Sequence, residues 1–217
     1  GKGAPLWAAI VLALAIGAVS GIINGFFVVN MKVMPFIATL GTMTVLRGVT
    51  LLLTDSRALD IPKYLTSKFG SGKLFGVLPY PALVFLILLV IFHVVLTRTA
   101  LGRRILACGN NREAAEKAGI NTSLTVYIAY IISGILAAVA GFVSASQIGN
   151  VPAGFGNGYE FDAIAASVLG GTSLLGGVGS ILPGVLIGAV TIQMISAGLT
   201  ALQINAYLID IFQACFI

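Results

Sequence analysis

The sequence predicts an all-α fold, a polytopic bundle of transmembrane helices with one short, broken helix. Hydrophobic residues make up 58% of the chain and charged residues only 9%, whereas a soluble domain carries about 25% charged residues. The apolar residues form repeated runs that are long enough to cross a bilayer as helices. The apolar–polar alternation of outer-membrane barrel strands does not occur in the sequence. These observations favour a helical protein that spans a membrane several times.

The charge balance indicates membrane lipid as a partner and argues against nucleic acid. The formal net charge of +5 suits loops that lie beside anionic lipid head groups. The sequence has no basic patch interleaved with aromatic residues, which a nucleic-acid surface would require. The two cysteines, Cys108 and Cys215, lie in different settings and indicate no disulfide framework.

The first predicted span covers residues 6–29. Within it Gly17, Gly21 and Gly25 recur at every fourth position, so one face of the helix has no side chains and a second helix can approach closely. We interpret this face as a helix-packing surface rather than as a substrate groove.

Pro35 precedes a second apolar run over residues 36–53, which contains Arg47. An arginine at this depth extends its head group to the membrane interface, is paired inside the bundle, or lines a polar path, since an ionisable residue inside the membrane is a functional candidate. The sequence leaves these alternatives open.

The next polar connection, residues 54–79, contains a Gly-Ser-Gly-Lys stretch that resembles a phosphate loop only superficially. Ser67 stands where a Walker A motif has its first glycine, and Leu74 stands where Ser or Thr follows the lysine. The sequence therefore predicts no ATPase site. The third span, residues 81–96, holds the single histidine, His93, which without neighbouring ligands predicts no metal site.

The second polar loop, residues 97–122, is predicted to contain one short helix over residues 112–118. Asn110 or Asn111 can cap its start and Gly119 can end it. The cluster of arginines directly after the third span favours the cytoplasm for this loop. Local sequence alone leaves two alternatives open, a solvated loop helix or a helix that contacts a partner.

A long span over residues 124–148 follows, with a small-residue face at Ser133, Ala137 and Gly141. After a glycine-rich loop, Glu160 and Asp162 are predicted to cap a short helix over residues 163–169, because the positive end of a helix dipole favours acids.

This short helix breaks at a glycine run, and the apolar pattern resumes over residues 181–202, where Gly184 and Gly188 repeat the small-residue spacing. A last helix is predicted over residues 204–217, with Asp210 in it. Irregular backbone at membrane depth is tolerated only against protein or a watery cavity, so the break is a candidate functional feature. The run consists of Gly170, Gly171, Gly176, Gly177 and Gly179.

No catalytic residues are predicted. The sequence carries no Ser/His/Asp set and no metal-ligand cluster within the spans, and Glu160 and Asp162 point apart on a helix at their i,i+2 spacing. The chain is therefore expected to be neither an enzyme nor the holder of a cofactor.

Two segments carry a family resemblance: GRRILACGNNREAAEKAGI at residues 102–120 and DAIAASVLGGTSLLGGVGS at residues 162–180. Together with PFIATLGTMTVLRGVTLLLT at residues 35–54, they resemble the permease subunit of bacterial ABC importers of the ribose/xylose/galactose type, which is grouped broadly with branched-chain amino-acid permeases. The resemblance covers nearly the whole chain. Because this family has further helices before Gly1 and a basic tail after Ile217, residues 1–217 are expected to be one transmembrane permease domain that is itself a fragment.

The resemblance implies a multi-pass subunit of the bacterial inner (plasma) membrane that transports a monosaccharide. The expected partners are a separate ABC ATPase, a second permease copy or paralogue, and a periplasmic sugar-binding protein. The loop helix would be the cytoplasmic coupling helix that contacts the ATPase, and the short broken helix would enter from the periplasmic side. The coupling residues would be Asn111, Arg112, Glu113, Ala114, Ala115, Glu116, Lys117, Ala118 and Gly119. The translocation path would include Thr39, Thr42, Thr44, Thr172 and Ser173.

Three alternatives remain at this stage. A branched-chain amino-acid ABC permease belongs to the same broad group. An ion-coupled secondary transporter or channel also uses broken helices, but it usually has an acid at a central coupling site, and here only Asp162 and Asp210 qualify. A purely structural membrane subunit would explain the packing glycines and leave the capped loop helix without a purpose.

Overall fold

A computed structural model describes residues 6–62, 70, 72–74 and 78–202, so the predicted last helix over residues 204–217, with Asp210, lies outside the described residues. The helices are α1 (Leu6–Val29), α2 (Pro35–Leu53), α3 (Tyr80–Arg98), α4 (Ala100–Asn110), α5 (Arg112–Lys117), α6 (Thr122–Ile148), α7 (Tyr159–Leu169) and α8 (Leu186–Ala201), and a π-helical turn at Ile181–Val185 precedes α8.

Within the described residues, five helical segments are long and apolar enough to cross a membrane: α1, α2, α3, α6, and the π-helical turn together with α8. The described strands are two residues long: β1 (Leu59–Asp60), β2 (Lys73–Leu74), β3 (Leu78–Pro79) and β4 (Asn150–Val151). Strand β1 pairs antiparallel with β4, and β2 with β3. The predicted class, an all-α polytopic membrane bundle, is confirmed.

The chain divides into two compact units. Unit 1 comprises Gly1–Leu86 and Ser123–Phe155, and unit 2 comprises Ile87–Thr122 and Gly156–Ile217.

In unit 1 the predicted glycine face of α1 packs against α6. A Cβ added at Gly17 would collide with the backbone of Gly134, and one at Gly21 with the backbone of Tyr130. Gly25 lies against the ring of Tyr127. Since rising residue numbers in α1 meet falling numbers in α6, the two helices run antiparallel. The prediction of a packing face on α1 is confirmed.

The face of α6 that receives α1 is formed by Gly134 and Ala138, whose atoms lie nearest to Gly17. Nothing lies within 4 Å of a Cβ placed on Gly141, which belongs to the small-residue face noted in the sequence. Several small residues in α6 share the helical spacing, so spacing alone did not identify the face in contact.

Polar contacts fix both ends of unit 1. At one end the hydroxyl of Tyr127 donates a hydrogen bond to Oδ1 of Asn30 at 2.6 Å. At the other end Nδ2 of Asn150 donates to Oδ1 of Asp60 at 2.6 Å, beside the pairing of β1 with β4. These bonds lie near the ends of the spans, where the chain leaves the apolar region.

In unit 2, α7 and α8 pack closely through small residues. A Cβ on Gly188 would collide with the carbonyl of Ala166, and one on Gly184 with the carbonyl of Gly170. Ala165, Ala166 and Ile192 are buried together at this contact. The predicted packing role of Gly184 and Gly188 is confirmed.

Unit 2 differs from the sequence prediction in one additional helix and in two helix boundaries. The loop 97–122 contains two helices, because residues 100–110 form α4, for which Thr99 accepts a capping bond from the Gly102 N–H. Helix α7 begins at Tyr159, four residues before the predicted start. The chain after the glycine run also becomes regular only at Leu186, since Leu182 has extended backbone angles inside the preceding turn.

Candidate functional site

Helix α5 is closed at its N-terminus by Asn111. The side-chain Oδ1 of Asn111 accepts a hydrogen bond from the Ala114 N–H at 2.9 Å, and its backbone is extended, as an N-cap requires. Of the two predicted caps, Asn111 is the one that the structure shows. Asn110 is instead the last residue of α4, so a single residue separates the two helices.

The C-terminus of α5 is closed by a Schellman motif. Gly119 has a φ of +80°, in the left-handed region that favours glycine. The Gly119 N–H donates to the carbonyl of Glu116 at 2.9 Å, and the Ile120 N–H donates to the carbonyl of Ala115 at 3.0 Å. The prediction that Gly119 ends the helix is confirmed. Both ends of this six-residue helix are thus defined by specific bonds.

One face of α5 is buried and the rest is exposed. Ala115 is buried, whereas Arg112, Glu113 and Lys117 are exposed. Nε of Arg112 lies 3.6 Å from Oε1 of Glu116, and both side chains are about half exposed, at 47% and 55%. An ion pair this exposed contributes about 1 kcal/mol at most, so it leaves these groups available for other contacts.

Thr122 anchors α5 to the start of α6. The Thr122 hydroxyl donates a hydrogen bond to Oε1 of Glu116, and Thr122 is only 1% exposed. The sequence analysis did not identify this residue. A hydroxyl six positions after a helical carboxylate carries no local pattern that would single it out.

The glycine run forms a turn after α7 that is closed by a backbone hydrogen bond within the run. Helix α7 ends in a second Schellman motif, in which Gly171 (φ +81°) donates to the carbonyl of Val168 and Thr172 donates to that of Ser167. The Ser173 N–H then donates to the carbonyl of Val178 at 2.9 Å, which closes the turn.

The two residues of this turn that were assigned to the translocation path have local bonds and contacts. The hydroxyl of Ser173 accepts a bond from the Leu175 N–H at 3.2 Å, and the side chain of Thr172 lies against Gly179. These contacts leave the predicted role of Thr172 and Ser173 untested.

Glu160 and Asp162 lie in the first turn of α7, where the helix dipole favours negative charge. Gly158 occupies the N-cap position with a φ of +90°, and the capping role of the two acids stays a prediction. Since glycine has no Cβ, it adopts this left-handed geometry readily.

The two motif segments meet in unit 2. Gly109, near the end of α4, lies against Gly176 and Gly177 of the turn, and Gly177 also approaches the Cα of Asn110. The approach is close enough that a Cβ on Gly177 would lie 2.6 Å from that Cα. The turn is therefore in backbone contact with the residue that directly precedes the N-cap of α5.

In unit 1 the three threonines of α2 that were assigned to the translocation path form different hydrogen bonds. The hydroxyl of Thr42 donates to Oδ1 of Asn24 in α1 at 2.6 Å. The hydroxyls of Thr39 and Thr44 donate to carbonyls of their own helix. Asn24 was missed by the sequence analysis, although an amide within an apolar span is a signal for an interhelical bond.

An open groove of about 730 Å³ runs along α1 and α2. Its wall is almost wholly apolar, and Ser20 and Thr42 are its hydroxyl-bearing residues. A sugar needs several polar partners to replace its bonds to water, so this wall alone is unsuited to bind one. Within the described ranges, no group of three or more His, Cys, Asp or Glu side chains could hold a metal ion.

Comparison with known proteins identifies the family. A protein-family model described as the permease component of a branched-chain amino acid transport system matches residues 2–217. The chain belongs to this permease family. No solved structure matches it.

Three relatives of this permease chain are themselves named as import permeases. The ribose import permease protein RbsC of Haemophilus influenzae is 38% identical over 207 residues, which cover 94% of this chain and 64% of that protein. RbsC of Bacillus subtilis is 42% identical over 186 residues, covering 85% and 57%. The autoinducer 2 import system permease protein LsrC of Photorhabdus luminescens is 37% identical over 196 residues, covering 90% and 59%. The permease chain thus spans about three fifths of the length of these relatives.

These findings confirm the resemblance to permeases of the sugar-importer group. With five candidate spans, the permease is a multi-pass protein of the bacterial inner (plasma) membrane. The site residues predicted from sequence are not tested by the comparisons.

Proposed function

We propose that the permease chain forms part of the membrane-spanning subunit of an ATP-binding-cassette importer for a monosaccharide. The observation that supports this proposal most directly is the construction of α5. This helix is closed at both ends, exposed on most of its surface, and bonded through Glu116 to the first residue of a spanning helix. A rigid helix of this kind passes a displacement to the helices that flank it, whereas a flexible loop would absorb it.

In this proposal α5 is the coupling helix and lies in a groove of a separate ATPase subunit. The exposed residues Arg112, Glu113 and Lys117 supply both signs of charge for that contact. The side chains of Arg112 and Glu116 are both about half exposed. Either one can therefore contact a charged group of the ATPase with little change in its own position.

The substrate class follows from the relatives, two of which are named for ribose import. In this proposal a periplasmic binding protein selects the sugar, so the path through the permease needs few strong sugar contacts. A second permease copy or paralogue would complete the path, and ATP-driven closure of the ATPase pair would move the bundle between inward-open and outward-open states. Thr39, Thr42, Thr44, Thr172 and Ser173 remain the proposed path residues.

The test is a charge reversal on α5 in the transporter assembled with its ATPase and binding protein. Arg112→Glu combined with Lys117→Glu should abolish ribose uptake and sugar-stimulated ATP hydrolysis while the amount of permease in the membrane stays normal. The matched control is Lys32→Glu combined with Arg57→Glu, which reverses two exposed charges elsewhere and should preserve both activities. Undiminished sugar-stimulated hydrolysis in the α5 variant would rule out the coupling role. ATP-driven uptake of leucine instead of ribose would assign the substrate to the branched-chain amino acids.

A further inference from the structure

The contact between the end of α4 and the glycine turn is made by backbone atoms on both sides. A Cβ on Gly109 would lie 2.5 Å from the backbone nitrogen of Gly177, and one on Gly176 would lie 2.8 Å from the carbonyl oxygen of Gly109. Real Cβ atoms essentially never approach other atoms within 3.0 Å. Gly176 and Gly177 also have φ values of +88° and +77°, so glycine is favoured there by conformation as well as by space.

The α4 side of this contact leads directly to α5. Gly109 and Asn110 end α4, and Asn111 both terminates that helix and caps the next one. Asn110 and Asn111 are the two residues between Gly109 and α5. A shift of α5 therefore reaches Gly109 through the backbone of these two residues.

The other side of the contact leads to the broken helix. The turn is closed by the bond from Ser173 to Val178 and is joined to α7 by the Schellman motif around Gly171. Helix α7 in turn packs against α8 at Gly188 and Ala166. Since backbone hydrogen bonds join the turn to α7 and close helix contacts join α7 to α8, a displacement of the turn is passed on to these two helices.

We propose that Gly109, Gly176 and Gly177 are positioning residues for energy coupling. Their backbone contact transmits the movement of α5 to the α7–α8 pair, so that ATP hydrolysis at the partner is converted into a rearrangement of the broken helix. This inference rests on the proposed function of α5, and it adds the backbone contact through which a movement of α5 reaches α7 and α8.

The test compares alanine substitutions in two matched pairs. The two members of a pair have the same kind of backbone conformation, and only one member places a methyl group in the contact. Gly177→Ala places a methyl group against Asn110, while Gly156→Ala, which lies outside the proposed route, has the same left-handed backbone and nothing within 4 Å. Gly109→Ala places a methyl group against Gly177 from within a helix, while Gly198→Ala lies in α8 with open space around it. Each variant is assembled with its ATPase, and the sugar imported per ATP hydrolysed is measured together with the yield of assembled complex.

The two contact variants should lower the sugar imported per ATP by about twofold to thirtyfold, the range seen when a residue modulates coupling between sites. Both controls should keep the wild-type ratio. The inference is overturned if contact and control variants have the same ratio, or if uptake falls only in proportion to the yield of assembled complex, since a merely structural contact would do that. A wild-type complex without ATP-driven uptake would refute the proposed function, and this inference with it. Normal wild-type uptake with unaffected contact variants would refute the inference alone.

Discussion

The hydroxyl of Thr122 donates a hydrogen bond to Oε1 of Glu116, 2.5 Å away. Thr122 is 1% exposed, whereas the Glu116 side chain is 55% exposed. The bond therefore joins a fixed, buried residue at the start of α6 to the exposed helix α5. It is the side-chain bond that holds the proposed coupling helix to a spanning helix.

Thr122→Val should loosen α5 without altering the packing around residue 122. Valine has nearly the same shape as threonine, and the exposed carboxylate of Glu116 can bind water instead, so the loss should be about 1 kcal/mol. A loss of about 1 kcal/mol raises the population of the opened helix about fivefold, so amide hydrogen exchange over residues 114–118 should be about fivefold faster. Mass spectrometry of the detergent-solubilised permease measures this rate. Thr44→Val, whose hydroxyl bonds only within its own helix, is the control and should leave exchange in α5 unchanged. Equal exchange in wild type and Thr122→Val would show that the bond does not hold α5.

The cap residue Asn111 gives a second prediction, with a conservative variant as its control. Asn111→Ala removes the bond to the Ala114 N–H and should destabilise α5 by about 1 kcal/mol. Asn111→Asp retains a capping oxygen and adds a charge that the helix N-terminus favours. Sugar uptake should therefore fall in the alanine variant and stay near the wild-type level in the aspartate variant. Equal uptake in both variants would show that the cap is unimportant for coupling.

The α1–α6 contact predicts where large residues are tolerated on α6. Gly134→Leu forces a side chain into the backbone of α1 at Gly17, and overpacking of this kind usually costs about 1–3 kcal/mol or more. Gly141→Leu, on the same helix with nothing within 4 Å, should be tolerated. The thermal midpoint of the solubilised permease, measured by size-exclusion chromatography after heating, should fall in the first variant only. A lower midpoint in Gly141→Leu alone would contradict the described packing.

The bond between Thr42 and Asn24 predicts an energetic coupling between α1 and α2. In a double-mutant cycle, Thr42→Val and Asn24→Ala should show an interaction of about 0.6 kcal/mol, the mean for hydrogen bonds between membrane helices. Thr39→Val paired with Asn24→Ala should be additive, because Thr39 bonds carbonyls of its own helix. Reversible unfolding in mixed detergent measures these energies. Additivity of the Thr42 and Asn24 substitutions would contradict the bond.

The spanning helices could be predicted from sequence because burial in lipid requires long apolar runs, which are visible in any window. The first span agrees with α1 at both ends, and Asn111 and Gly119 could be recognised because caps depend on local backbone chemistry. Helix α4 was missed because it is short and amphipathic, with Arg103 and Arg104 inside it, so it lacks the apolar run of a span.

The contacts that build the site were less predictable, since they join residues distant in the chain. Thr122 and Asn24 are ordinary polar residues until the fold places a partner beside them. The same holds for Gly109 and Gly177, which lie far apart in the chain and form the two sides of one backbone contact. Sequence spacing identified the small residues of α6 and could not say which of them face α1.

The measurement that tests the central claim most directly is photo-crosslinking of α5 to an ATPase subunit in membranes. A photoreactive phenylalanine analogue placed at Lys117 is compared with the same group at Arg57, which is also exposed and lies in the loop after α2. If α5 is the coupling helix, the group at Lys117 should crosslink to the ATPase and the group at Arg57 should not. Crosslinking of the ATPase from Arg57 and not from Lys117 would contradict the assignment.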